Sequence, residues 1–415
     1  MKINIATGFF LPVPPAAGGA TEKIWHRLAQ VFAAAGHEVT FISRTWPGFP
    51  DRETLDGVRH IRLPGANHTR WLALNLWHDF WWGRRVARAL PPADITICNL
   101  VSLPISLRRL RPDAGRVVAV LARMPKGQTR FYNKVDLLLS LSDAVTSKIL
   151  SENPALASRI VPFPFPIDWS LHAAACENAH PGGRALRTQP TPLLPPQTHP
   201  SRISTSRLPF SPPPPPLTIG YIGRLHPEKG IRLLLAAAAK LATRSTVPPW
   251  RLQLLGPVSI PEGGGGEAWL NPLCAEFTPA LGERLSILAP EFDPAVLARH
   301  YAALDIFCYP SLAGKGETFG VAVAESMAAG CVPVVSQLPC FNSLVDAGLN
   351  GFVFDHTAES AEGDLASILA ALLIDASLRR ELAANAQAHA RRFDYAEIGR
   401  AISADFTRLL ASAPV

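Results

Sequence analysis

No run of about 18 uninterrupted apolar residues, the length a membrane-spanning helix needs, occurs in this sequence. Its hydrophobic stretches, such as Val117 to Leu121 and Ile219 to Ile222, are short, so no segment reads as a transmembrane helix. The start, Met1-Lys2-Ile3-Asn4-Ile5-Ala6, lacks the basic, apolar and small-residue parts of a secretory signal. The expected location is the cytoplasm, with peripheral contact at the inner membrane face left open. Six cysteines, Cys98, Cys176, Cys274, Cys308, Cys331 and Cys340, form no CxxC pair or Cys/His cluster. Several sit in apolar runs, so free thiols and no structural metal are expected. The GxGxxG spacing of a dinucleotide fingerprint and the GK[ST] ending of a P-loop are also missing, which disfavours a dehydrogenase or an ATPase. Finally, no acid stands between Glu177 and Glu228, and Arg184, Arg187, Arg202 and Arg207 in that stretch inflate the net charge to +7. Setting those four aside leaves about +3, an excess that fits anionic substrates or a lipid surface as well as nucleic acid.

What is present is a chain of 415 residues, 48% hydrophobic, ample for the packed cores of two or three domains. The first forty residues alternate like a βαβ unit: an apolar strand, a Pro/Gly loop, a helix over Thr21 to Ala35 with Ile24, Leu28, Val31 and Phe32 at helical spacing, then a strand over Val39 to Ser43. Further strands are expected at Ile95 to Leu100, Val117 to Leu121 and Leu137 to Leu141. From Glu177 to Pro216 the periodicity stops and Pro, Ser, Thr, Arg and Gly dominate, ending in five prolines, Pro212 to Pro216. That stretch reads as a linker or inserted loop with no face to bury. Strand and helix then alternate again from Leu217 onward. The expected organisation is an α/β domain over 1–172, a Pro-rich segment over 173–216, a second α/β domain over 217–390, and a C-terminal helix over 391–415 packing back toward the first domain. Both domains read as Rossmann-like, doubly wound parallel sheets, with a ligand cleft between them.

Three segments carry chemistry. In Gly316-Glu317-Thr318-Phe319-Gly320-Val321-Ala322-Val323-Ala324-Glu325, a helix starting near Phe319 sets Glu317 in the loop before it and Glu325 nearly two turns in. Carboxylates accept hydrogen bonds from vicinal sugar hydroxyls, and the free amides of the first turn favour an anion. Read alone, the same residues also fit a helix cap and a solvated helix position. In Gly223-Arg224-Leu225-His226-Pro227-Glu228-Lys229-Gly230, two cations occupy a strand-to-helix loop at the carboxyl end of a parallel sheet, where such folds bind ligands. A solvated basic turn is the alternative there, and His226 reads as a surface residue. The loop Pro14 to Thr21 holds the paired Gly18 and Gly19, which let backbone approach a ligand closely.

Taken in order, these segments resemble glycosyltransferase family 4: an N-terminal glycine loop, a G-R-L-x-x-x-K-G loop opening the second domain, and E-x7-E near its end. Val135-Asp136 with Leu139 to Ser142, Pro166-Ile167-Asp168 and the strand from Tyr301 to Ser311 support the likeness. The resemblance implies a GT-B architecture, an acceptor-side first domain and a donor-side second domain. It further implies transfer from a nucleotide sugar with retention of anomeric configuration, no cofactor and no bound metal. Arg224 and Lys229 would neutralise the leaving diphosphate, Glu317 would contact the transferred sugar and Glu325 the ribose. The amides of Phe319, Gly320 and Val321, with Gly18 and Gly19 from the other domain, would help hold the donor. The partners implied are a nucleotide sugar and a sugar, glycan or lipid acceptor. A nucleic-acid partner is not expected, because charge alone does not explain the paired acidic motif. Many relatives carry a histidine at the end of the strand corresponding to Val117 to Leu121; here Ala122-Arg123-Met124 stands there, so Arg123 is the nearest polar candidate on the acceptor side. This departure keeps open a catalytically silent sugar-nucleotide binder. The stretch Thr69 to Leu90, with Trp71, Trp77, Trp81 and Trp82 beside Arg70, Arg84, Arg85 and Arg88, fits three readings: tryptophans in the core, an acceptor pocket including Trp81, or a bilayer-facing helix.

Overall fold

A computed structural model describes residues 1–16, 19–179, 215–314 and 317–412. The first half runs β1 (Lys2–Ala6), α1 (Ala20–Ala34), β2 (Glu38–Arg44), β3 (Arg52–Leu55), β4 (Val58–Leu63), α2 (Leu72–Ala89), β5 (Ile95–Cys98), α3 (Leu103–Leu110), β6 (Arg116–Leu121), β7 (Leu137–Ser140), α4 (Asp143–Glu152) and β8 (Ile160–Pro162). Its sheet has the order β3-β4-β2-β1-β5-β6-β7-β8, parallel except that β3 runs antiparallel to β4. The central strands are buried on both faces, as parallel sheets require. Trp25, Leu28 and Phe32 of α1 cover Ile5, Phe41 and Ile97 on one side. Trp82 and Val86 of α2 with Leu103 and Leu107 of α3 cover the other.

Helix α5 (Trp169–Ala179) precedes the second half: β9 (Leu217–Ile222), α6 (Ile231–Ala242), β10 (Trp250–Leu255), α7 (Glu267–Leu281), β11 (Leu285–Leu288), α8 (Pro294–Ala302), β12 (Ile306–Tyr309), α9 (Val321–Ala328), β13 (Val332–Ser336), β14 (Phe352–Phe354), α10 (Ala361–Ile374), α11 (Ala376–Ala390) and α12 (Tyr395–Ala411). Its parallel sheet is ordered β11-β10-β9-β12-β13-β14. In both sheets the winding reverses beside the first strand, between β1 and β5 and between β9 and β12. A doubly wound sheet opens a crevice at the carboxyl ends of such strands.

The chain crosses between halves near Ile167, whose amide donates to Phe393 O at 2.8 Å and whose carbonyl accepts from Tyr395 N at 3.2 Å. From there α12 lies against α1, with Ile398, Ile402 and Phe406 in the same core as Leu28 and Phe32. A Cβ on Gly399 would come within 2.6 Å of Val31, so the two helices touch closely there. No helix among the described residues is long and apolar enough to cross a membrane, and all six cysteines are free. Several expected boundaries move by a few residues, and α5 runs to Ala179, into the segment expected as Pro-rich over 173–216, whose residues 180–214 lie outside the described ones. Helix α9 starts at Val321, two residues after Phe319, because Gly320 takes φ 95° as its N-cap and a Cβ there would meet Phe341 at 2.7 Å.

Candidate donor site

The loop after β9 is built to touch the loop after β12. Pro227–Lys229 form a 3-10 turn whose Glu228 amide donates to the His226 ring at 3.3 Å. Gly230 then takes φ 69°, and a Cβ there would sit 1.9 Å from Pro310 O, so only glycine allows the approach. Leu312 N donates to Glu228 O at 2.8 Å and pins the loops a second time. The consequence is a direct ion pair between Lys229 Nζ and Glu317 Oε1, both buried, at 6% and 8% exposure. Glu317 also accepts from the Tyr309 hydroxyl at 3.2 Å and the Ser311 hydroxyl at 3.3 Å. Burial, with repulsion from Arg224 adding to it, pulls the Lys229 ammonium down to about 8. The adjacent carboxylate favours keeping its proton on.

Arg224 lies at the solvent side of the same loop. It donates to Glu228 Oε1 and to Gly263 O, each at 2.7 Å. Gly263 to Gly266, a glycine run that the sequence reading passed over, folds onto this loop: Gly265 N donates to Leu225 O at 2.8 Å. A Cβ on Gly263 would lie 3.0 Å from Arg224 Cδ, so the run lets backbone flank the guanidinium. The amides of Phe319, Gly320 and Val321 open the turn into α9 and have no hydrogen-bond partner among the described residues. The Phe319 side chain is buried between Phe165 and Phe393, at ring distances of 6.3 and 5.5 Å, which ties this loop to the crossing between halves.

Glu325 stands apart from the Lys229 cluster. Its carboxylate accepts from the Tyr301 hydroxyl at 3.1 Å and lies 3.9 Å from His172 Nε2 of α5. Burial raises it to about 7, with Tyr301 and then Lys23 opposing. Lys23 belongs to α1, so the first turn of that helix and the second half's α9 approach one another. Gly18 lies outside the described residues. Gly19 has φ 95°, but the space its Cβ would need is taken by this chain's own Glu22 and Leu11, at 2.3 and 2.6 Å. Its glycine character therefore has a local packing cause besides any ligand.

Arg123 is exposed beyond β6 and acts electrostatically on Glu22, a buried carboxyl in the first turn of α1 that burial raises above its ordinary value. Trp81 lies on the outer face of α2, exposed, while Trp82 packs inward. The sequence reading missed Lys23, Glu22, His172, Tyr301, Tyr309 and Ser311. Tyr309 and Ser311 lie in the strand segment quoted for the family likeness, so their position before Glu317 was a usable signal. His172 and Lys23 had none, because their place depends on how α1 and α5 meet α9.

Two doubly wound domains meeting at their switch points, with paired cations and carboxylates at the crevice, define a GT-B fold. Residues 206–389 match the family described as "Glycosyl transferases group 1". The chain is 30% identical to phosphatidyl-myo-inositol mannosyltransferase of Mycolicibacterium smegmatis, covering 97% of this chain and 92% of that protein. It is 32% identical to D-inositol 3-phosphate glycosyltransferase of Stackebrandtia nassauensis over 43% of this chain and 39% of that protein, so that match spans well under half of the relative's length. Sucrose-phosphate synthase from Thermosynechococcus elongatus shares the fold with a TM-score of 0.70 at 19% identity, covering 99% and 100% of the two chains. The chain belongs to the group 1 glycosyl transferases.

Proposed function

We propose that the protein is a retaining, metal-independent glycosyltransferase of family 4, with its E-x7-E pair at Glu317 and Glu325. It moves a sugar from a nucleoside-diphosphate sugar to a hydroxyl of a glycan, lipid or small molecule. The observation that carries the reading is the convergence of Arg224, Lys229 and Glu317 beside the α9 amides at the β9/β12 switch point. Breaking the bond between the anomeric carbon and the diphosphate builds negative charge on the leaving oxygen, and fixed cations stabilise that charge without a metal. Lys229 and Arg224 take this role, the amides of Phe319, Gly320 and Val321 hold phosphate or sugar oxygens, Glu317 contacts the transferred sugar and Glu325 the ribose hydroxyls. Gly18 and Gly19 complete the donor site from the first domain.

In a front-face reaction the acceptor oxygen bonds the anomeric carbon on the side the diphosphate leaves, and the acceptor proton passes to the departing diphosphate oxygen. No protein nucleophile is needed. Arg123 and Trp81 are assigned to the acceptor side, and the names of the two relatives favour a polyol ring, free or lipid-borne, as the acceptor. The enzyme acts from the cytoplasm, with no cofactor beyond the co-substrate. Donor turnover in EDTA tests this. Arg224→Ala and Lys229→Ala are each expected to slow turnover by about 10²–10³-fold with the fold intact by circular dichroism; unchanged rates in both would refute the assignment. The arginine standing where relatives carry histidine favours a second reading, a catalytically silent binder, which would bind nucleotide yet turn over no donor with any acceptor.

A further inference from the structure

Helix α2 buries Trp82, Val86 and Ala87 and leaves a large apolar face uncovered. Trp71 is 62% exposed and Trp77 56%, and Leu72, Phe80 and Trp81 stand out beside them. Contiguous exposed aromatics of this size are unusual on a monomer and mark a binding surface. The patch adjoins the loop after β5, where Val101 is exposed and Ser102 N donates to Asp79 of α2 at 2.8 Å.

The charge around this face is mainly positive. From Gly65 to Arg111 the sequence holds seven arginines, of which Arg108 pairs with Asp136 and Arg111 with Asp113, and two acids, Asp79 and Asp94. Asp79 turns inward and accepts from Ser102 N at 2.8 Å, and Asp94 accepts from Lys2 N at 2.7 Å. Arg70, Arg84 and Arg88 have no carboxylate partner among the described residues. Instead Arg84 lies 3.7 Å over the Phe80 ring and Arg70 5.0 Å over Trp71, so cations and aromatic rings form one surface. A second copy of this chain would bring arginines against arginines across a two-fold axis. Headgroup phosphates would pair with them, while indoles settle at the boundary between headgroups and acyl chains.

We propose that α2 and the adjoining loops dock the protein on an anionic phospholipid bilayer. The geometry also says which way the cleft then points. Helix α2 follows β4, so its first turn lies at the carboxyl end of the first sheet, as does the loop after β5 that holds Val101. Phe10, in the loop after β1, meets His68 there at a ring distance of 5.4 Å. The docked face therefore adjoins the acceptor-side mouth of the cleft, where a lipid-borne hydroxyl would enter. Only this last consequence rests on the transferase reading; the docking itself does not.

The test is co-sedimentation of the full chain with phosphatidylglycerol/phosphatidylcholine vesicles and with phosphatidylcholine alone, using wild type and the Trp71→Ser/Trp77→Ser double variant. Binding at least tenfold tighter to the anionic vesicles, lost tenfold or more in the variant, is expected, with circular dichroism unchanged. Absence of vesicle binding, or binding indifferent to the substitutions, overturns the proposal. So does a wild-type dimer in sedimentation equilibrium that the variant dissociates, because a second copy would then cover the face. Nucleotide-induced thermal stabilisation, measured on the same samples without lipid, reports on the donor site separately.

Discussion

Burial pushes the Glu325 carboxyl up to about 7, while the Tyr301 hydroxyl and Lys23 pull it back toward the charged form. A carboxyl raised on folding keeps its proton longer in the native state, so it makes stability fall as pH rises from about 4.5 to about 7. Ribose hydroxyls ask for the opposite form, since only the carboxylate accepts from both. Donor affinity is therefore expected to strengthen about tenfold between pH 6 and pH 8, following the charged fraction of a group titrating near 7. Calorimetric titration with nucleoside diphosphate checks this: Glu325→Gln should flatten that part of the profile. A wild-type profile identical to that of the variant would mean that Glu325 does not meet the ribose. Lys23, which acts on this titration, and His172, 3.9 Å from the carboxylate, were not legible in the sequence, because neither belongs to a motif and both come near Glu325 only through tertiary packing.

Two loops, one after β9 and one after β12, share a buried ion pair, and their contact depends on Gly230 resting against Pro310. Removing one partner of a buried pair strands the other charge and costs about 3–5 kcal/mol, whereas replacing both with apolar groups of similar size is often neutral. Glu317→Leu alone should lower the urea midpoint strongly, and Lys229→Met/Glu317→Leu should restore it without restoring donor turnover. A double variant as unstable as the single would show that the pair does more for the fold than neutralise itself. The strand and helix alternation from β9 onward was readable because short, largely apolar segments such as Leu217–Ile222 and Ile306–Tyr309 are separated by turn chemistry. The hairpin of β3 and β4 was not, since Arg59, His60 and Arg62 break the apolar pattern of β4. His60 and Arg62 are nevertheless buried, with Arg62 donating to Val13 O at 3.0 and 3.1 Å. Helix α7 was hidden by its internal Pro272 and Pro279. The start of α9 shifted because glycine at 320 is demanded by Phe341, a contact the local sequence does not announce.

Across the whole molecule, the candidate site of the second half comes from two short segments, residues 223–230 and 317–325, which the sheet topology brings to one crevice. The first half gave only a glycine pair and a tryptophan-rich helix with three readings, and the fold divides that helix between core and surface, Trp82 inward and Trp81 outward. What links the halves is an aromatic path through Trp25, Phe163, Phe165, Phe319 and Phe393, together with α12 lying on α1. Donor bound in the cleft would touch both halves, so it should stabilise the native state by an amount set by its affinity. The decisive measurement is the thermal stability of the purified protein with UDP, GDP, ADP and TDP in EDTA, repeated on Glu325→Ala. A metal-independent nucleotide-sugar site requires a shift selective for one base that persists in EDTA and disappears in the variant. No shift with any of the four at millimolar concentration would contradict it.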